Sequence, residues 1–364
     1  MSTHTSAPGL RFNPEMLVRA REAAGMTQTD LAAALLVAQG TVSKVETGQL
    51  PPPPDFLERA ARTLQVRSTL FFRWPAHCTL PVTFYRKKVR LAASDLKRVH
   101  ANVALRRVAL EVLTRAAGVV DNRVPAITLG EGGMTPVRAA QELRIHWQMP
   151  RGPIENVTEL MESKGVVVFP EDFGTDQIAG LSMYEPADGL PPTVFINTRC
   201  PGDRARFTLV HELAHLVLHQ HLPFPPNECE GEADMFAAEF LMPESDIRGY
   251  LSSRLTLEDA AVLKRTWKVS MSALIKRASD LERIAPGRAK SLFIEIGRRG
   301  WRLREPIEVE FETPTLYAEL AEAHLEDLGF TEEQLSAALD ITPERLRTAF
   351  LRRRTTGSLR LVPS

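Results

Sequence analysis

Between residues 13 and 72 the apolar positions fall in short blocks at three- and four-residue spacing. Leu17, Ala20 and Ala24 form the first block, Leu31 and Ala34 the second, Val42 and Val45 the third. That is the period of short amphipathic helices. Thr27 is placed to cap a helix from Gln28 to Leu35, and a second helix is predicted over Gln39–Glu46. Pro51–Pro54 stops the run. From 84 to 117, Phe84, Leu91, Leu96, Val99, Val103, Leu110 and Leu113 form a longer stripe that predicts one or two helices. Residues 118–134 carry turn residues and little periodicity, and read as a linker. The pattern then shortens to three partly β-branched runs, Val166–Phe169, Ile178–Met183 and Thr193–Asn197, bounded by Pro, Gly and Asp. These predict strands of a small antiparallel sheet. A helix follows from about Asp203, its cap, to His219, and another runs from Glu228 to the stop at Pro243. The rest is mostly helical, with a strand-like, Pro-bounded stretch over 291–317.

The fold class expected from this pattern is α+β, mostly helical. An all-α domain spans 1–76 and a basic helical connector 77–134. A domain holding the small sheet spans 135–246, and a mostly helical extension 247–364.

Two helices joined by a three- or four-residue turn form a helix-turn-helix, whose second helix can enter a major groove. Gln39, Thr41, Ser43 and Lys44 lie on that helix, and Gln28 opens the one before it. Gln and Thr can read base edges, whereas Ser43 and Lys44 suit phosphates. Charge moderates this reading. Lys+Arg 45 balances Asp+Glu 45 over the 364 residues, and residues 1–70 hold seven basic against six acidic side chains. Residues 84–117 are the basic exception. Arg86, Lys87, Lys88, Arg90, Lys97, Arg98, Arg106, Arg107 and Arg115 face Asp95 and Glu111 there, a net of 9 − 2 = +7. Such a stretch suits phosphate contact or a solvated helix face.

Three well-separated cysteines make neither a disulfide framework nor a Cys-x-x-Cys site. No apolar run suits a signal peptide or a membrane span. A cytoplasmic protein with no membrane partner is expected.

The 203–219 helix carries His211-Glu212-Leu213-Ala214-His215. Histidines four residues apart lie about 40° apart around a helix, so both can reach one Zn²⁺. Glu212 is placed as the proton-transferring base of a zinc hydrolase. A third ligand is required, and the next helix offers Glu228, Glu230, Glu232 and Glu239. Its apolar face is set by Ala233, Phe236, Ala237, Phe240 and Leu241. Glu230 lies nearer that face than Glu232 or Glu239, and is preferred over Glu232. Asp234, one turn on, can accept the free ring N–H of a ligating histidine. Glu232 and Glu239 suit a solvated face. His219, His221 and Tyr184 are available to stabilise an oxyanion. The strands at 178–183 and 193–197 could hold a peptide at a sheet edge, an idea that fails if both are paired on both sides.

GPIENVTELMESKGVVVF, IAGLSM, VFINTRCPGDRARFTLVHELAHLVLH and EGEADMFAAEFLMP together resemble the ImmA/IrrE family of zinc metallopeptidases. The resemblance covers about 110 residues. It implies a zincin-like domain in which His211, His215 and Glu230 hold zinc and Glu212 is the base. It also implies narrow specificity for a repressor or similar regulatory partner. The family often has Asn where Asp234 stands. GMTQTDLAAAL and TVSKVETG resemble the lambda-repressor-like helix-turn-helix of the Xre family. Here Leu36 replaces the usual turn glycine, and Ala38 replaces the usual small hydroxyl residue. LKRTWKVSMSALIKRASDL looks like the helical extension that follows the peptidase core in many relatives.

FTEEQLSAALDITPERLRTAF has helix-turn-helix spacing with Thr331 and Thr342 as caps. A docking or dimer-forming tail is preferred there over a second DNA reader. The reading that results is a DNA-binding regulator joined to a zinc endopeptidase. It would cleave a repressor or antitoxin-like protein, or itself, in a stress, prophage or toxin–antitoxin response. Double-stranded DNA and a homodimer partner are expected. The alternative is a regulator whose zinc domain only senses or docks.

Overall fold

The structure, a computed structural model, describes residues 11–74, 84–85, 92–117, 121–220 and 228–351. Arg86, Lys87, Lys88, Arg90, Leu91, His221, Pro223 and the arginines at 352–354 lie outside the described residues. The chain forms two compact units. One joins Met1–Leu80, Leu91–Val119 and Thr315–Ser364, and the other joins Pro81–Arg90 and Val120–Pro314. The regions read as one connector, 77–134, and one extension, 247–364, are therefore each shared between the two.

The first unit begins with helices Pro14–Ala23, Gln28–Ala34, Gln39–Glu46 and Phe56–Leu64. Asn13 caps the first, with Pro14 at its first position, where a missing N–H costs nothing. Thr27 and Asp30 cap the second reciprocally. Met16, Leu17, Ala20, Leu31, Leu35, Val42, Val45 and Phe56 bury together. Ala24 and Ala34, expected inside, are exposed; Leu35 and Phe56 fill the core instead. The long helix Ala93–Ala117 buries Val99, Val103, Leu110 and Leu113. Residues 84–85, expected in a helix, form a strand of the other unit.

The last three helices, Leu316–Glu326, Glu332–Ala338 and Pro343–Ala349, repeat the plan of the first three. Thr331 and Gln334 form the same reciprocal cap as Thr27 and Asp30. Asp340 takes the left-handed conformation at φ 56°, as Leu36 does at φ 53°. The Leu36 and Val37 amides donate to Ala33 and Ala32 at 3.2 and 3.0 Å, and those of Asp340 and Ile341 to Ala337 and Ser336 at 3.2 and 3.0 Å. The C-terminal turn is held by residues just after the fourth helix. Thr69 donates to the Asp340 carboxylate at 2.6 Å, the Arg67 amide to its carbonyl at 3.0 Å, and Arg73 ion-pairs with it.

The second unit holds a four-stranded sheet in the order β1-β3-β4-β2 among the described residues. β1 is Phe84–Tyr85, β2 Val167–Glu171, β3 Gly180–Met183 and β4 Thr193–Asn197. The sheet is mixed, not antiparallel: β3 runs antiparallel to β1 and β4, and β2 parallel to β4. The segment after β2 is long enough to skip a strand position, so β2 and β3 are neighbours in sequence but not in the sheet. Both β3 and β4 are paired on both sides. The edge expected to take a peptide is occupied at Leu181 and Ser182 by Tyr85 and Phe84.

The motif helix is Gly202–Ala214, and it continues through a π-helical turn, His215–His219. Its Asp203 does not cap it. Asp203 instead receives buried Lys264 at 2.6 Å, and Lys264 also reaches Glu305 at 2.7 Å. Glu312 pairs with buried Arg206 and accepts from the Thr158 amide at 2.9 Å. Glu305 and Glu312 thus anchor an extended strap that crosses the start of the motif helix. The acidic helix Glu228–Leu241 packs beside it through Ala233, Phe236, Ala237 and Phe240. Helices Leu257–Trp267 and Met271–Asp280 follow. Among the described residues, no strand forms over the strand-like stretch 291–317, which opens inside one helix and ends in another. Pro286–Arg298 is a helix, because Ala289, Leu292 and Ile296 recur at helical spacing behind a first-turn proline. Among the described residues no helix is long and apolar enough to cross a membrane.

Candidate metal centre and nucleic-acid interface

The spacing of the motif helix turns His211 and His215 to one buried face, each 1% exposed. Their Nε2 atoms stand 3.2 Å apart. Glu230, from the acidic helix, places one carboxylate oxygen 3.5 Å from His211 Nε2 and the other 3.5 Å from His215 Nε2. Glu230 Oε2 is buried and has no hydrogen-bond partner. Tetrahedral zinc with bonds of about 2.0–2.1 Å needs its ligand atoms roughly 3.3–3.4 Å apart. The two Nε2 atoms at 3.2 Å, each 3.5 Å from its own Glu230 oxygen, lie close to those separations, so the donor set fits the ion.

The surroundings orient these groups. His211 Nδ1 lies 2.9 Å from Asp234 Oδ1, and Ser182 on β3 donates to Glu212 Oε2 at 2.6 Å. Gly180 lets β3 approach, since a Cβ there would lie 2.7 Å from Thr208 Cγ2 and 3.1 Å from the Phe195 carbonyl. Burial pulls the His211 pKa down, but Asp234, Glu230 and Glu212 outweigh it and raise it to about 9. Burial lowers His215. The adjacent His211 and His215 imidazoles hold the Glu230 carboxyl well below the usual range.

Two acidic residues are not where the sequence put them. Glu239 is buried, not solvated; it pairs with Arg277 and accepts from Gln141 at 2.8 Å. Glu232 lies 3.0 Å from His219 Nε2. His219, an oxyanion candidate, is buried behind His215, with their Nδ1 atoms 2.9 Å apart. His219, Cys229 and Glu232 bring ligand-type atoms within 4.8 Å of one another, a second cluster that spacing had not suggested. Tyr184, the remaining described candidate, accepts from Asn122 at 3.0 Å.

On the other unit, Gln39 and Lys44 are exposed, and Thr41 and Ser43 half-exposed, along the second helix of the pair. Gln39 donates to Gln28 at 2.8 Å, and Gln28 to Glu46 at 2.8 Å. Buried Glu46 is fixed by Arg21 at 2.5 Å. This chain holds Gln39 at the mouth of the pair before any ligand arrives. Of the basic stretch, Lys97 and Arg115 are exposed, but Arg107 is buried and Arg106 lies over Phe350 at 4.8 Å. Those two arginines are spent on packing.

Residues 161–279 match the family model of the IrrE N-terminal-like domain, and residues 16–70 match that of a helix-turn-helix domain. No curated protein matches the chain. The matched stretches give an N-terminal helix-turn-helix followed by an ImmA/IrrE-type peptidase domain. The first supports DNA binding and the second a peptidase-like module.

Proposed function

We propose that the chain is a DNA-binding regulator carrying a zinc endopeptidase, with His211, His215 and Glu230 as the zinc ligands and Glu212 as the general base. The observation that carries this reading is the convergence of both Nε2 atoms on the Glu230 carboxylate, one against each oxygen, beside Glu212 of the same motif. A zinc held there would activate a water and polarise the scissile carbonyl. Glu212 takes a proton from the attacking water and hands it to the leaving amine. Ser182 keeps that carboxylate aimed, and Asp234 holds the His211 ring so that Nε2 is free to bind. The substrate class favoured is a repressor or antitoxin-like protein in a stress or prophage response. The sheet gives one specific reason to test the chain itself as substrate. Its own residues Phe84 and Tyr85 pair with β3 beside Ser182, which binds the base.

The test is zinc content together with cleavage. Purified protein should hold one zinc per chain, and Glu230→Ala should lose it. Glu212→Gln should keep the zinc and the fold but lose scission, read by mass spectrometry of incubated zinc-loaded protein and of co-expressed partners. Ser182→Ala should keep zinc and slow cleavage. A well-folded chain without zinc would reject the peptidase reading. It would leave the regulator with a docking domain, whose DNA binding is indifferent to Glu212→Gln.

A further inference from the structure

The cluster of His219, Cys229 and Glu232 can be a second metal site or part of the first. The hydrogen-bond chain decides between them. Each imidazole carries one proton when neutral, on one nitrogen only. A metal on His215 Nε2 leaves the proton of that ring on Nδ1. That Nδ1 stands 2.9 Å from His219 Nδ1, so the latter must accept. The His219 proton is then on Nε2, which faces Glu232 Oε2 at 3.0 Å. A nitrogen that carries this proton cannot ligate a metal. If His219 Nε2 did bind one, its proton would move to Nδ1 and two N–H groups would collide at 2.9 Å. Occupying both clusters is therefore self-defeating, and occupying the first fixes every proton in the chain.

We infer that His219 and Glu232 are positioning residues for the proposed zinc site: a relay, His215 Nδ1–H to His219 Nδ1 and His219 Nε2–H to Glu232, that locks His215 in the tautomer with Nε2 free for the metal. The inference rests on the zinc reading above and extends it to two residues. His211 Nδ1 meets the Asp234 carboxylate directly, whereas His215 Nδ1 meets the His219 imidazole, whose Nε2 meets Glu232. His215 and His219 lie four residues apart along a π-helical turn, with ring centroids 5.1 Å apart. Both rings are buried. Glu232, the rival third ligand by sequence, becomes the far end of the relay, and Cys229 stands beside it as a buried thiol.

The experiment uses the full chain with Zn²⁺ alone as probe, in competition with a chromophoric chelator. Losing an outer partner of a metal-bound histidine typically costs about 10–100-fold in metal affinity. Glu232→Ala and His219→Leu should weaken zinc by about that factor while still taking one zinc per chain. Glu232→Gln keeps an acceptor oxygen and should restore affinity to within about threefold of the wild type, as the relay requires. Saturating Co²⁺ gives a second readout: the visible bands should shift in Glu232→Ala and His219→Leu but not in Glu232→Gln. Circular dichroism of the metal-free variants separates loss of fold from loss of the relay. Abolished binding in Glu232→Gln and Glu232→Ala alike would make Glu232 a ligand and overturn the inference. So would two zinc per chain with one lost in Cys229→Ser, or an unchanged affinity in Glu232→Ala. If the wild type takes one zinc that His211→Ala removes, such results sink the relay alone. If the wild type takes none, the zinc reading and the relay fall together.

Discussion

Ala38 leaves the second helix of the N-terminal pair without a side-chain cap, and Leu36 before it sits in a left-handed conformation at φ 53° with 88% of its surface exposed. Both are local costs that the fold carries. A hydroxyl at an N-cap is worth about 1 kcal/mol over alanine because it accepts from an otherwise unpaired amide. Thr342 does this at the matching place in the C-terminal repeat, accepting from the Arg345 amide at 3.2 Å. Ala38→Ser should therefore raise the stability of the first unit by about 1 kcal/mol. Leu36→Gly removes a left-handed penalty of about 1–2 kcal/mol but adds back part of it as chain entropy, so a gain of up to about 1 kcal/mol is expected. Thermal or urea melts read both. A lower midpoint in either variant would show that the turn is held by something other than these backbone preferences.

At the scale of elements, the start of the motif helix is fixed by backbone packing and not by a cap. A Cβ on Gly202 would stand 2.3 Å from the carbonyl oxygens of Val309 and Glu310. These are main-chain atoms that cannot swing away. Gly202→Ala should cost at least about 1–3 kcal/mol, the usual range for forced overpacking, and loosen the strap. Faster proteolysis within residues 302–314 would register it; an unchanged melt would refute it. The motif helix and the shared face of His211 and His215 were legible in the sequence because both depend on one helical turn. Glu230 and Asp234 were legible for the same reason, being placed by the apolar face of their own helix. Asp203 and Glu239 were misread because their partners, Lys264 and Arg277, lie far along the chain. The mixed sheet was misread because strand order is set by nonlocal pairing, and two residues at 84–85 are too short a signal to separate from the helical stripe that follows. His219 showed only as a stray histidine, since its contact with Glu232 comes from the next helix.

At the scale of the molecule, the two three-helix repeats share a plan but not a charge. The described C-terminal repeat, 315–351, carries Glu319, Glu322, Glu326, Asp327, Glu332, Glu333, Asp340 and Glu344 against Arg345 and Arg347, 2 − 8 = −6. Phosphate attraction dominates nonspecific DNA affinity, and a surface of that sign is repelled. Its turn is also committed to Arg67, Thr69 and Arg73 of the same unit. DNA reading is thereby assigned to the N-terminal pair, and the C-terminal one is a brace that covers part of Ala93–Ala117 through Ala321, Leu335, Leu339 and Leu346. Two consequences separate these roles. Lys44→Ala should weaken binding to mixed-sequence duplex DNA and lower the slope of log affinity against log salt by about 1, while Arg345→Ala leaves both unchanged. Asp340→Ala removes the carboxylate shared by Arg73 and Thr69, leaving Arg73 its bond to the Ala338 carbonyl, and should destabilise the first unit by about 1–3 kcal/mol without altering the salt slope of the folded protein. Equal loss of DNA affinity in Arg345→Ala and Lys44→Ala would instead make the C-terminal repeat a second reader.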